Sequence, residues 1–145
     1  MNVFKTSLQD CIIIEPNIFG DDRGFFLETY SKKRYEEFIG SHTFVQDNHS
    51  RSAKGVLRGL HFQTTPFEQT KLVRVISGKV QDVVVDLRKD SQTYGQHRSF
   101  ILSGENKNQL LIPRGFAHGF LTLSKEAVFS YKVDNPYSKD HESGV

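Results

Sequence analysis

Apolar positions along the chain come in short runs rich in β-branched and aromatic side chains, cut by Gly, Pro, Asn, Asp and Ser. The runs fall at 12–14, 25–27, 44–45, 56–62, 72–76, 80–87, 99–102, 110–112, 120–123 and 127–133. Such punctuation predicts strands assembled into a sandwich or barrel. One segment departs from it. Tyr35, Phe38 and Ile39 stand at i, i+3 and i+4 between Ser31 and Gly40, which predicts a short helix capped by Ser31 and stopped by Gly40. Lys32, Lys33 and Arg34 occupy its first turn, where the macrodipole disfavours cations.

Ser77-Gly78 separates two valine-rich runs and predicts a two-residue hairpin loop. In that register Val75 opposes Val80, Val73 opposes Asp82, and Lys71 opposes Val84. Alternation then gathers Lys71, Val73, Val75, Val80, Asp82 and Val84 on one inward face. Lys71 and Asp82 become diagonal neighbours, two opposite charges on a valine surface.

Composition narrows the class. The chain has 145 residues, 37% hydrophobic and 25% charged, which fits a single domain over 1–145 with a real core. Nineteen Lys and Arg against 17 Asp and Glu give a net charge of +2, too even for a nucleic-acid coat. No apolar run is long enough for a membrane span, and the N-terminus lacks a signal-peptide layout. The one cysteine, Cys11, excludes an internal disulfide and a cysteine zinc cluster and fits a reducing, cytoplasmic setting. Cys11 borders an Ile run and reads as a buried filler.

Two segments carry candidate chemistry. Residues 56–63, VLRGLHFQ, put Arg58 and His61 in one apolar strand, where strict alternation sends them to opposite faces. Gly59 is the natural site of a bulge that turns both inward. Residues 112–120, IPRGFAHGF, make a turn that enters a strand with His118 near its start. Its P-x-G-x-x-H spacing is similar to the second motif of cupin jelly rolls, where the His often binds metal. Tyr131 shares parity with Ala127, Phe129 and Val133, so it faces inward, as does Asp82. Each of these has a plain structural reading: a core histidine on a carbonyl, or a buried phenol with a partner. Their conjunction in one small barrel argues for a site. A cupin metal centre needs two His with one residue between them, plus a carboxylate; Gln63 stands in the second place, so no metal is expected. His42, His49, His97 and His141 lie in polar stretches and read as surface residues.

Five segments together resemble the dTDP-4-keto-6-deoxyglucose (dTDP-4-dehydrorhamnose) 3,5-epimerase family: 19–28 FGDDRGFFLE, 44–50 FVQDNHS, 56–63 VLRGLHFQ, 71–74 KLVR and 112–120 IPRGFAHGF. The resemblance runs from about Lys5 to Val145. It implies an all-β, metal-free cupin jelly-roll barrel with one or two short helices, active without a cofactor. It also implies a homodimer with exchanged N-terminal strands, acting on a dTDP-4-keto-6-deoxyhexose. By the same resemblance His61 is the base, Lys71 stabilises the enolate and Tyr131 returns a proton, with His118 and Asp82 in support. Arg58 and Arg23 would hold the diphosphate, Glu28, Gln46, Asn48 and Phe19 would line the nucleotide site, and Tyr137 would stack on the base. Arg23 and Glu28 would act across the dimer. Family members continue past this end, and the further segment carries an aspartate that orients the catalytic His. The expectation is that 1–145 lacks that segment, or that another carboxylate does its work.

The chemistry accounts for these residue types. A C4 ketone acidifies the hydrogens at C3 and C5, so inversion needs a base near neutrality, a cation at the developing enolate and an acid on the other face. Three alternatives stay open at the level of sequence: a 3-epimerase or 3,4-ketoisomerase on the same substrate class, a metal-dependent cupin oxygenase, and a non-catalytic sugar-nucleotide binder.

Overall fold

The computed structural model describes residues 1–40 and 42–145. Thirteen strands form three sheets. The first is six-stranded, in the order β1 (Asn2–Lys5), β2 (Ile12–Glu15), β10 (Gln109–Ile112), β7 (Lys71–Ser77), β12 (Glu126–Val133), β5 (Gln46–Ala53). The second is five-stranded, in the order β13 (Glu142–Gly144), β6 (Leu57–Gln63), β11 (Phe116–Thr122), β8 (Lys79–Asp86), β9 (His97–Ser103). The remaining two strands, β3 (Ile18–Asp21) and β4 (Gly24–Leu27), form a separate hairpin. The two large sheets face each other over one core that includes Val73, Val75, Val80, Val84, Leu110, Phe120 and Phe129. The two facing sheets are the sandwich that the residue pattern predicts, in the all-β, cupin-like jelly-roll arrangement that the resemblance implies.

The helix α1 spans Lys32–Ile39 and ends at Gly40, whose φ of 66° and N–H bond to the Glu36 carbonyl close the last turn. It lays Tyr35 and Ile39 on the outer face of the six-stranded sheet, against Ile14, Leu72 and Leu111. Ser31 holds the N-cap position without a side-chain bond. The cations of the first turn are met instead by carboxylates, Lys32 by Glu36 at 3.7 Å and Arg34 by Glu28 at 3.2 Å.

The hairpin predicted at Ser77-Gly78 does not form. The chain turns a corner there, so β7 pairs with β10 and β12 while β8 pairs with β11 and β9 in the opposite sheet. A side chain at Gly78, whose φ is 82°, would put its Cβ 2.1 Å from the Glu126 carbonyl oxygen. The inward set survives the correction. Val73, Val75, Val80, Asp82 and Val84 are buried, and β7, with Lys71, Val73 and Val75, lies in the sheet opposite the Val80, Asp82 and Val84 of β8.

The bulge at Gly59 does form. His118 pairs with His61 and Phe120 with Arg58, so two residues of β6 stand opposite Gly119 alone. Gly59 has φ 111°, and a Cβ there would lie 2.6 Å from the Gly119 Cα. The backbones of β6 and β11 touch at these two glycines, and that contact turns the strand.

Candidate active site

The bulge and the two sheets converge on a cavity of about 620 Å³. Its walls have different owners. The six-stranded sheet supplies Lys71, Tyr131 and Asn48, with Val133 paired to Lys71 and Tyr131 paired to both Val73 and Asn48. The five-stranded sheet supplies Arg58, His61 and His118.

Behind His118 lies Asp82, fully buried, whose Oδ2 is 2.8 Å from the His118 Nε2. The other Asp82 oxygen, Oδ1, has no hydrogen-bond partner. Lys71 is half-buried, and loss of water around its ammonium pulls its pKa down to about 8, against the opposing charges of Asp82 and Glu142. Burial pushes the Tyr131 phenol above its ordinary value, partly offset by the Asn48 side chain. Arg58 donates from Nε to Ser52 Oγ at 2.8 Å and has no carboxylate partner among the described residues, which leaves its charge for an anion. The cavity is therefore cationic, with a pair of aromatic rings, Phe120 and Phe129, stacked 4.3 Å apart at its wall.

Gln46 and Tyr137 adjoin this set through hydrogen bonds. Gln46 donates to Asn48 Oδ1 at 2.9 Å and accepts the Tyr137 N–H at 3.2 Å, and the Tyr137 hydroxyl donates to Glu142 at 2.8 Å. Phe19, Arg23 and Glu28 stand apart. Phe19 is 62% exposed on the β3–β4 hairpin, Arg23 pairs with Asp21 at 2.6 Å, and Glu28 faces Arg34.

Several cavity residues were not legible as site residues. His49 reads as a surface histidine in sequence; it is exposed, but it lines the cavity together with Ser50. The signal for β5 is its strict alternation, with Gln46, Asn48, Ser50 and Ser52 turned in and their neighbours exposed. Glu142, whose charge acts on Lys71 and Tyr131, sits on β13, which pairs with β6 from Gln63 to His61. Gln63 ties that segment down, donating to the Phe67 and Pro136 carbonyls and accepting the Ser138 N–H. Among the described residues no three His, Cys, Asp or Glu side chains gather into a metal-binding group.

The chain is similar to known proteins over nearly all of its length. The family model for dTDP-4-dehydrorhamnose 3,5-epimerase matches residues 5–145. The dTDP-4-dehydrorhamnose 3,5-epimerase of Shigella flexneri is 57% identical, covering 100% of this chain and 81% of its own length. The crystal structure of dTDP-6-deoxy-D-glucose-3,5-epimerase from Legionella pneumophila, in complex with dTDP-4-keto-L-rhamnose, has a TM-score of 0.96 at 53% identity, over 99% of this chain and 77% of that one. That of the Bacillus anthracis dTDP-4-dehydrorhamnose 3,5-epimerase with TDP and PPi bound has a TM-score of 0.95 at 54% identity, over 99% and 83%. The chain belongs to the dTDP-4-dehydrorhamnose 3,5-epimerase family.

Proposed function

We propose that this cavity inverts a dTDP-4-keto-6-deoxyhexose at C3 and C5, with the base on one sheet and the acid on the other. The single observation that carries the assignment of roles is that opposition. His61 reaches the cavity from the five-stranded sheet and Tyr131 from the six-stranded sheet, so a sugar ring between them meets one group on each face. His61 takes the proton from the carbon next to the ketone, and the electron pair moves onto the ketone oxygen. The Lys71 ammonium stabilises that enolate charge. Tyr131 then gives its proton to the opposite face of the same carbon. Exchange with water returns both groups to their starting state, so no electrons are gained or lost and no redox cofactor is called for.

His118 and Asp82 support the set from behind, the carboxylate fixing the imidazole that pairs with His61 across the strands. Arg58 grips the diphosphate, and Asn48, Gln46 and Tyr137 form the side that receives the nucleotide. Phe19, Arg23 and Glu28 serve the site of a second copy in a homodimer. The support for that dimer is the β3–β4 hairpin, where Phe19, Phe25 and Phe26 are 62%, 61% and 69% exposed beside Arg23. Cys11, a buried free thiol, is in keeping with a cytoplasmic setting. Gln63 holds loops where a cupin metal motif needs an imidazole, which favours the metal-free reading over an oxygenase.

Incubation with a dTDP-4-keto-6-deoxyhexose in D₂O tests the assignment. Deuterium at both C3 and C5 of an inverted product is the expected result. Label at C3 alone would make the chain a 3-epimerase, and label at neither, with substrate bound, would make it a binder.

A further inference from the structure

Asp134 closes β12 three residues beyond Tyr131 and is buried, its side chain 1% exposed. It does not line the cavity. Its Oδ1 accepts the backbone N–H of Thr70 at 2.6 Å, one residue before Lys71. Its Oδ2 accepts from Arg114 Nε at 3.0 Å and faces His42 Nδ1 at 3.0 Å. Arg114 belongs to the turn that leads into β11 and, four residues on, to His118. The backbone N–H of Asp134 also donates to the Thr70 carbonyl at 3.3 Å.

We propose that Asp134 is a positioning residue that sets Lys71, His118 and Tyr131 in register by tying together the ends of the three strands that carry them. The inference rests on the roles given above. A buried carboxylate is tolerated only when its oxygens are well bonded, so its partners are held firmly in return. Here Thr70 stands just before β7, Arg114 just before β11, and the carboxylate itself just after β12. The loop before Lys71 is fixed on its far side by Asn135, whose Nδ2 donates to the Glu68 carbonyl at 2.8 Å, and by Gln69, which donates to the Asn135 carbonyl at 2.9 Å. The Thr70 bond is the last side-chain tie before the ammonium. Without it the start of β7 keeps only its backbone bonds, and a shift of about 1 Å at a reacting group can cost about a hundredfold in rate.

The test compares Asp134→Ala with Asp134→Asn in the full chain. The readouts are kcat and KM for a dTDP-4-keto-6-deoxyhexose, thermal stability, and the titration of Lys71 followed by NMR at its ε-carbon. Asp82 on β8 and Glu142 on β13 are the charges that act on that ammonium, with His49, Arg58, His61, His118 and Tyr131 as the other titratable or charged groups of the cavity. Asp134→Ala is expected to lower kcat about 10–100-fold, with KM held within about threefold. It should also move the Lys71 midpoint away from about 8. Asp134→Asn keeps an oxygen for the Thr70 N–H and is expected to restore kcat to within about threefold of the original enzyme. A folded Asp134→Ala protein with unchanged kcat and Lys71 midpoint, its loss confined to thermal stability, would overturn the proposal. Should that variant fail to fold, Thr70→Pro, which removes the N–H that Asp134 accepts, takes its place. A fall in kcat with a moved Lys71 midpoint supports the proposal, and no change in either overturns it. A moved midpoint in a protein whose unaltered form shows no turnover would support the positioning role and overturn the epimerase reading instead.

Discussion

Two carboxylates on strand β8, Asp82 and Asp86, are both fully buried and face the same side, yet their surroundings differ in kind. Asp86 is satisfied. Arg88 donates to it from Nε and Nη2, Ser91 and Thr93 donate from their hydroxyls, and the Arg88 backbone N–H completes the set. Burial works to raise the Asp86 pKa, but those bonds overcome it and hold the carboxyl well below the usual range. Asp82 has one partner, His118, and an oxygen with none, and it looks toward a desolvated lysine. One end of the strand has its polar groups matched internally, which is how a protein stabilises a fold. The other end leaves cations and an imidazole under-matched, which is how it prepares to meet a charged substrate.

That contrast is breakable. The largest expected effect is at the cavity end: His61→Asn keeps the side-chain shape, removes the basic nitrogen, and should slow proton abstraction by about 10²–10⁴-fold. Its melting temperature should stay near that of the original protein. Equal loss of turnover and stability would make His61 a core residue. At the other end, Asp86→Ala should cost about 1–3 kcal/mol of stability by leaving its half-buried donors without their acceptor. Turnover per folded molecule should hold, as judged by denaturant unfolding alongside kcat. The sign of its pH dependence follows from the depressed carboxyl. The Asp86 contribution is full above the unfolded carboxyl value of about 4 and is lost as pH falls through the lower folded value.

Lys71 sharpens the comparison through pH. In the proposed mechanism its ammonium stabilises the enolate, so kcat should decline as pH rises through about 8. Lys71→Met should lower kcat about 10²–10³-fold and abolish that limb. Stability moves the other way. Between about 8 and the ordinary lysine value of 10.5 the unfolded chain binds more protons, so the folded state gains stability as pH rises, and Lys71→Met should remove that gain. The smallest effect is expected from Arg58→Ala, because the proposed mechanism gives Arg58 the diphosphate, a group present alike in ground and transition states. KM should rise about tenfold or more with kcat nearly held. An unchanged KM would place the diphosphate elsewhere.

Much of this was legible before any fold was built, though unevenly. The helix was, because Tyr35, Phe38 and Ile39 carry a period that only a helix buries, and Gly40 supplies the positive φ that ends it. The inward set of β7 and β8 was too, but through a pairing that does not exist. Parity decides which face a residue takes, whereas a turn dipeptide does not decide whether two strands share a sheet. Strand β5 escaped because its inward residues are Gln46, Asn48, Ser50 and Ser52, polar groups that face a cavity and leave no apolar period. Strands β3 and β4 present Phe19, Phe25 and Phe26 to solvent, and a single chain offers nothing to predict what meets them. Glu142 could not be foreseen at the site, since a short edge strand brings it there.

In the proposed mechanism acid and base stand on opposite sheets and act on opposite faces of one ring. Tyr131→Phe tests it most directly, because it keeps the ring packed beside Phe129 and removes only the proton donor. In D₂O with a dTDP-4-keto-6-deoxyhexose, this variant should still exchange deuterium into recovered substrate through His61 while forming little inverted product. Inversion at C5 at the rate of the unaltered enzyme would contradict the claim.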